Sequence, residues 1–315
     1  MKKKVFIDGS EGTTGLRIFE RFESRDDIEL LKIPSELRKD PVEVKKYINE
    51  SDITFLCLPD AAAREAVAMV ENENTIILDT STAHRTEAGW AYGYPELSAA
   101  HREAIRTGKR IAVPGCYATG FITTAYALAA GGILPKDYPV SAFAVSGYSG
   151  GGKKMIAQYQ AQDKDKELSS ARLYALSQSH KHLKEMKAIS GLERTPLFSP
   201  MVTDYYSGMT VSLTFYADML NGRQTPETVR EYLAKHYAGE KFITVQPLGA
   251  EAESGGVLFS SARSGWDGLE IYVTGNEDRI MVTTRFDNLG KGASGAAIQC
   301  MNIVLGCEED KGLTV

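Results

Sequence analysis

The chain has 315 residues, 43% of them hydrophobic and 24% charged, with a formal net charge of −5. That length suits two domains of ordinary size, with core enough to fold without disulfide staples. The acidic balance excludes a general affinity for nucleic acid or anionic membrane, so any basic groups that matter must be local.

Met-Lys-Lys-Lys passes straight into Val5-Phe6-Ile7, too short an apolar run for a signal peptide, and no later run approaches a membrane span. The expected compartment is therefore the cytoplasm. Cys57, Cys116, Cys300 and Cys307 are scattered without CxxC or finger-like spacing, which argues against both a disulfide framework and a zinc site. No metal is expected.

The β-prone run Val5-Phe6-Ile7 leads into Asp8-Gly9-Ser-Glu-Gly12-Thr-Thr-Gly15, and residues 16–22 then show helical spacing. Strand, glycine turn and helix form the context in which a loop cradles a pyrophosphate. Absent Cβ atoms allow close approach, and the helix N-terminus supplies donors. Gly9, Ser10, Gly12, Thr13, Thr14 and Gly15 are thus candidate cofactor-binding residues, although the spacing is G-x-x-G-x-x-G and a plain tight turn remains the alternative. A second strand at 28–33 ends in Pro34-Ser35-Glu36-Leu37-Arg38-Lys39. Ser35, Arg38 and Lys39 suit a ribose 2′-phosphate, and hence NADP(H), better than the 2′-hydroxyl of NAD. Glu36 is discordant, and a solvated charged loop is the other reading.

Ile53-Thr-Phe-Leu-Cys-Leu58 and Thr75-Ile-Ile-Leu-Asp79 are unbroken apolar strands flanking a helix-prone stretch at 60–71, as a parallel sheet covered on both faces requires. The alternation predicts a doubly wound α/β domain. Cys57 lies inside a strand and reads as core. Polar loops follow at Asp79-Thr-Ser-Thr-Ala-His84-Arg85 and Tyr92-Gly-Tyr-Pro-Glu-Leu97, at carboxyl ends of strands where open α/β sheets bind ligands.

The strand at 110–113 then delivers Pro114-Gly115-Cys116 to an Ala-rich helical run at 117–130. A cysteine in a helix's first turn sits at the positive end of the dipole, which favours its thiolate. A small buried hydrophobe is the bland alternative. Nucleotide turn and thiol are expected at the same carboxyl edge, which makes Cys116 the candidate nucleophile.

Beyond Gly131-Gly132 the pattern changes. Residues 139–146 read as a strand, followed by a Gly-rich loop ending in Lys153-Lys154, candidates for holding a substrate phosphate or carboxylate. Helical material is expected to about Ala175, then comes Ser179-His180-Lys-His182. With a cysteine nucleophile some histidine should serve as acid or base, and of five in the chain His182 and His180 are the best placed. Strands at 209–215, 243–247, 269–274 and 279–286, with a helix near 226–237, predict a second α+β domain with a mostly antiparallel or mixed sheet. One open face of such a sheet suggests a dimer. Cys300 and Cys307, seven apart in the last helical run, are expected on one face as packing residues.

These motifs together resemble those of the N-acetyl-γ-glutamyl-phosphate reductase family in its shorter form, arginine-biosynthetic relatives of aspartate-semialdehyde dehydrogenase. The resemblance spans Gly9-Ser-Glu-Gly-Thr-Thr-Gly15, Asp79-Thr-Ser-Thr-Ala-His-Arg85, Tyr92-Gly-Tyr-Pro-Glu-Leu97, Pro114-Gly-Cys-Tyr-Ala-Thr119, Val145-Ser-Gly-Tyr-Ser-Gly150, His180-Lys-His182 and Asn288-Leu-Gly-Lys-Gly-Ala293. It implies a Rossmann domain over 1–115 completed by the C-terminal helix at 290–315, and a catalytic and oligomerisation domain over 116–289. It further implies NADP(H), Asn288 among the cofactor contacts, Cys116 as nucleophile, an acyl-phosphate substrate with free phosphate as product, and a homodimer or homotetramer. Two places depart from the pattern. Leu183-Lys-Glu-Met186 replaces the Thr-Pro-Glu-Ile of longer members, and Glu11 stands in the cofactor loop where a small residue is common. Another semialdehyde dehydrogenase of the same build, or a non-catalytic NADP-binding sensor, are the competing readings.

Overall fold

The structure, a computed structural model, describes residues 2–315. The chain divides into two compact units: residues up to Gly115 together with Ala293–Leu313, and Cys116–Gly292 together with Thr314–Val315.

In the first unit β1 (Lys3–Asp8), α1 (Thr13–Phe22), β2 (Ile28–Leu31), α2 (Pro41–Glu50), β3 (Ile53–Leu56), α3 (Asp60–Ala68), β4 (Ile76–Asp79), β5 (Ala91–Tyr92), α4 (Ala99–Thr107) and β6 (Arg110–Ala112) build a six-stranded sheet of order β2-β1-β3-β4-β6-β5. Every pairing in it is parallel. Successive side chains of a strand point to opposite faces, and the apolar residues divide accordingly. Ile7, Phe55 and Leu78 enter one core with Ile18, Phe22 and Ile105, while their neighbours Phe6, Leu56 and Ile77 enter the other with Val44, Ile48 and Ala63. The chain's last helix, Gly295–Leu305, returns to the first of these cores through Ile298, Met301 and Ile303. Burying each such side chain stabilises by roughly 1.5–3 kcal/mol, enough to bind the chain's end to this unit. Arg25 adds a polar clasp: it donates to Asp27, to Asn302 Oδ1 at 2.9 Å and to the Lys311 carbonyl at 2.9 Å.

The second unit opens with α5 (Cys116–Ala130) and continues through β7 (Ser141–Gly147), α6 (Gly152–Gln160), β8 (Arg172–Leu173), α7 (Leu183–Ser190), β9 (Leu197–Thr203), β10 (Met209–Tyr216), α8 (Pro226–His236), β11 (Ile243–Val245), β12 (Leu269–Gly275) and β13 (Arg279–Phe286). Its sheet runs β11-β12-β13-β10-β7-β9-β8 and is mixed, with parallel pairing only for β7–β9 and β11–β12. The register places Phe198, Ala142, Leu213, Val282 and Val273 in one row, and Ala144, Val211 and Ile271 in the next. These rows are buried beneath α5 and α8. Helix α5 is buried nearly all round, and Gly120 lets it lie close. A Cβ there would meet Val211 side-chain atoms at 2.7 Å.

Three expectations need correction. The α-helix ends at Gln160, a single 3₁₀ turn follows at Lys166–Ser169, and Arg172–Leu173 is already an edge strand. The strand Leu197–Thr203 was not anticipated, because Ser199 and Pro200 interrupt the β-prone pattern; proline is tolerated because β9 lies next to the sheet's edge, where only the short β8 covers it. The last helix stops at Leu305, with Gly306 in the left-handed conformation, so Cys307 lies beyond it instead of on the Cys300 face.

Candidate active site

The glycine loop is fixed by contacts no larger residue permits. Gly9 has φ +82°, and a Cβ on it would lie 2.4 Å from the Cys57 carbonyl oxygen; one on Gly15 would lie 2.4 Å from the Gly9 oxygen. Gly12, which caps α1, offers no side chain to the first-turn N–H groups, and no acidic residue stands in that turn. Thr13 Oγ1 is buried without a hydrogen-bond partner. A cavity of about 190 Å³ opens beside Ser10, lined by Phe19 and residues 30–33. Unspent donors, an orphaned hydroxyl and a cradle that a Cβ would fill are what a dinucleotide's pyrophosphate requires, so the residues present fit that group. Asp8, which ends β1, has its carboxyl pushed up to about 6 by burial. Burial pushes the thiol of half-buried Cys57 up to about 12, which disfavours its thiolate.

In the turn after β2, Arg38 is ion-paired with Glu11. The residue that looked out of place in the loop thus turns outward onto the cation expected to meet a 2′-phosphate. Ser35 is exposed in the same turn.

The motif running from Asp79 to Arg85 braces the strand ends. Buried Asp79 accepts from Ser81 Oγ at 2.7 Å and pairs with His84 Nδ1 at 2.6 Å, and the His84 ring stacks on Trp90 with centroids 4.1 Å apart. Arg85 donates to the Val113 carbonyl at 2.8 Å and to that of Thr80 at 2.9 Å. It therefore ties down the chain three residues ahead of Cys116. Glu96 is likewise structural, accepting from Gln299 at 2.7 Å.

Cys116 is the first residue of α5 and is half-buried, whereas Cys300 lies wholly in the core. Against it packs a π-helical turn over Gly290–Ser294, whose Gly292 would carry a Cβ only 2.9 Å from that of Cys116. Such turns recur at functional sites. The next residue, Tyr117, gathers the histidines: its ring lies 5.6 Å from that of His180 and 6.1 Å from that of His182, with the two imidazoles 4.7 Å apart. Phe198 closes the group edge-on to Tyr117 at 5.3 Å. Burial and the nearby Cys116 both push the Tyr117 and Tyr174 hydroxyls above the ordinary tyrosine range, burial the more strongly.

The histidines are not equivalent. The backbone N–H of His182 donates to His180 Nδ1 at 3.1 Å, which places the proton of neutral His180 on Nε2, facing the Tyr174 hydroxyl at 3.4 Å. Burial, aided by Lys181, pulls His180 down to about 4. Its Nδ1 lone pair is spent and the ring stays neutral near pH 7. His182 is buried at the start of α7.

Other expected site residues lie apart from this cluster's contacts. Lys153 and Lys154 are exposed in the first turn of α6. Asn288 is 1% exposed, accepts from Gly208 N at 2.8 Å and donates to Ser149 Oγ at 3.0 Å. These two bonds tie Asn288 to the chain at Gly208 and Ser149. Among the described residues no three His, Cys, Asp or Glu side chains gather as metal ligands, and no helix is long and apolar enough to cross a membrane. Tyr174 was not singled out from the sequence, and Tyr117 and Arg85 entered only as members of longer motifs.

Comparison with known proteins bears on this arrangement. Residues 4–106 match a family described as semialdehyde dehydrogenase, NAD binding domain, and residues 116–288 match semialdehyde dehydrogenase, dimerisation domain. An aspartate semialdehyde dehydrogenase from Francisella tularensis superposes with a TM-score of 0.73 over 97% of this chain and 100% of its own, at 15% identity. One from Vibrio cholerae, complexed with ASA, gives 0.72 over 97% and 99%, at 15% identity. Fold and family match thus define a semialdehyde dehydrogenase-type oxidoreductase. N-acetyl-gamma-glutamyl-phosphate reductase 2 of Nostoc sp. is 43% identical over 99% of both chains, and the reductase of Brucella ovis is 44% identical over 97% of this chain and all of its own. The chain belongs to the N-acetyl-γ-glutamyl-phosphate reductase family.

Proposed function

We propose that this enzyme reduces N-acetyl-γ-glutamyl phosphate to N-acetylglutamate 5-semialdehyde, releasing phosphate, through a thioester on Cys116. The observation that carries the reading is the placement of a half-buried cysteine as the first residue of α5, followed directly by the tyrosine on which both histidines converge. The dipole of α5 favours negative charge on Sγ. The thiolate attacks the acyl carbon, the bond from that carbon to the phosphoryl oxygen breaks, and phosphate leaves; N–H groups of the helix start stabilise the oxyanion between these events. The chemistry that NADPH supplies when bound is a hydride for the thioester carbon. His182 takes the thiol proton at the outset and returns it to Sγ as the C–S bond breaks and the aldehyde departs. The tautomer of His180 supports this division of labour, because its Nδ1 already accepts a backbone N–H. Gly9, Ser10, Gly12, Thr13, Thr14 and Gly15 would hold the cofactor's pyrophosphate, and Ser35 and Arg38 its 2′-phosphate. Lys153 and Lys154 are candidates for the substrate's anionic groups.

The chain is further read as a homo-oligomer, dimer or tetramer, pairing across the outward face of the second unit's sheet. Support comes from the family description of residues 116–288 and from Phe143, Leu197 and Tyr216, exposed on that face. A molar mass in solution equal to one chain would contradict this.

The activity is tested in reverse. Oxidation of N-acetylglutamate semialdehyde should require both NADP⁺ and phosphate, exceed that of aspartate semialdehyde, and vanish in Cys116→Ser while NADP⁺ binding persists. Retained turnover in Cys116→Ser removes the covalent mechanism.

A further inference from the structure

The segment joining β8 to α7 carries both histidines, and it contains Ala175 at φ +52° and Gln178 at φ +55°. These are the two non-glycine residues with positive φ among the described residues. A left-handed backbone is costly for residues with a Cβ and persists only where the surroundings impose it. The surroundings here can be named. Strand β8 pairs with β9 through Leu173, and Tyr174 N still reaches the Pro200 carbonyl at 3.2 Å. The chain then leaves the sheet, and Gln178 N donates to Ala175 O at 3.0 Å to close a turn. At the next free position of β9, Gln178 returns as a side chain: its Nε2 donates to Phe198 O at 2.8 Å and its Oε1 accepts from Phe198 N at 2.9 Å. One carboxamide thus takes the place of a neighbouring strand.

Phe198, so gripped, is the residue whose ring stands edge-on to both His180 and Tyr117, each at 5.3 Å. Two residues after Gln178, His180 accepts the His182 N–H. The clasp therefore fixes both partners of the Phe198–His180 contact, and through it the distance between the histidine pair and the residue next to Cys116. We propose that Gln178 is a positioning residue for the acid/base histidine: its double hydrogen bond holds a strained loop in the one conformation that presents His182 to the reacting sulfur. This rests on the assignment of Cys116 and His182 made above.

The test compares Gln178→Leu, which keeps bulk and loses both hydrogen bonds, with Gln178→Asn, which tolerates a left-handed backbone but is one methylene too short to reach Phe198. Both should lower kcat by about 10-fold or more, toward the ~10²-fold minimum for losing an acid or base. KM should change less than kcat, the histidine limb of the kcat pH profile should shift, and NADPH affinity and the alkylation rate of Cys116 should stay at wild-type values. Gln178→Glu, which keeps the acceptor and the length, should fall between. Wild-type kcat and pH profile in folded Gln178→Leu overturn the proposal, as does recovery by Gln178→Asn, which would make backbone strain alone the determinant. If Leu and Asn variants do not fold, the Glu variant decides alone: an unshifted pH profile at wild-type kcat overturns it. Failure of the underlying reading shows separately, as turnover by Cys116→Ser or by His182→Asn at wild-type rates.

Discussion

Substituting Gly292 by alanine perturbs the proposed nucleophile without replacing a reacting group. The added methyl lies 2.9 Å from Cβ and 3.3 Å from Cα of Cys116, and 3.2 Å from the Asp287 carbonyl oxygen. Carbon atoms rest at about 3.5–4.0 Å, so the overlap with Cβ is roughly 0.6–1.1 Å. The turn cannot simply swing away. Gly290 N and Gly292 N both donate to Asp287 O at 3.1 Å, and the Asp287 carboxylate is itself held by Leu289 N and Gly265 N. Much of the displacement therefore falls on Cys116. Since a misplacement of about 1 Å costs ~10²-fold in rate, Gly292→Ala should lower kcat by about 10- to 100-fold. Overpacking of this kind destabilises by about 1–3 kcal/mol, a fall in Tm of a few degrees, so the variant should remain folded at 25 °C. The assay is steady-state oxidation of the semialdehyde, with a thermal melt and the rate of Cys116 alkylation measured on the same preparation. Wild-type kcat and alkylation rate in the folded variant would refute the idea that this turn seats the nucleophile.

Arg38→Ala should weaken NADPH binding by about 10-fold, the lower end for a charge-assisted hydrogen bond because the site is exposed, and leave NADH binding unchanged; Glu11→Gln should tighten NADPH by freeing that guanidinium. Equal effects on the two cofactors in a binding titration would remove Arg38 from the 2′-phosphate site. The hydrogen bond from Arg25, with help from Lys311, holds the Asp27 carboxyl well below its ordinary 3.8. Its stabilising contribution is complete above that pH and is lost as pH falls below it, so the Tm deficit of Asp27→Asn should be present at neutral pH and shrink in acid. For His180 the sign is the same and the window lies higher. The folded state holds the ring near 4 against 6.5 when unfolded, so the unfolded chain binds more protons in that window and stability declines as pH drops from 6.5 toward 4. His180→Asn should flatten the Tm-against-pH curve there, and an unchanged slope contradicts the neutral assignment.

Much of the first unit was legible because its strands carry their instructions locally. Ile53-Thr-Phe-Leu56 and Ile76-Ile-Leu-Asp79 are apolar on both faces, which only a sheet covered on both sides accommodates. Cys116 could be placed at a helix start because Pro114-Gly115 ends the strand just before it. What escaped was non-local. Tyr117, Tyr174, His180 and Phe198 are separated by up to 81 residues and meet only when β9 forms, and β9 was hidden by Pro200. Glu11 and Arg38 were each noticed for their charge, yet their pairing depends on the loop after β1 facing the turn after β2, which no local pattern encodes. Asn288 entered only through the motif it belongs to, and its bonds to Gly208 and Ser149 are likewise non-local.

The central claim is that Cys116 becomes acylated. Mixing the enzyme with N-acetyl-γ-glutamyl phosphate in the absence of NADPH should release phosphate in a burst stoichiometric with active sites, and peptide mass spectrometry should find the N-acetylglutamyl group on Cys116. No burst, an adduct on another residue, or an undiminished burst from Cys116→Ser would contradict the account.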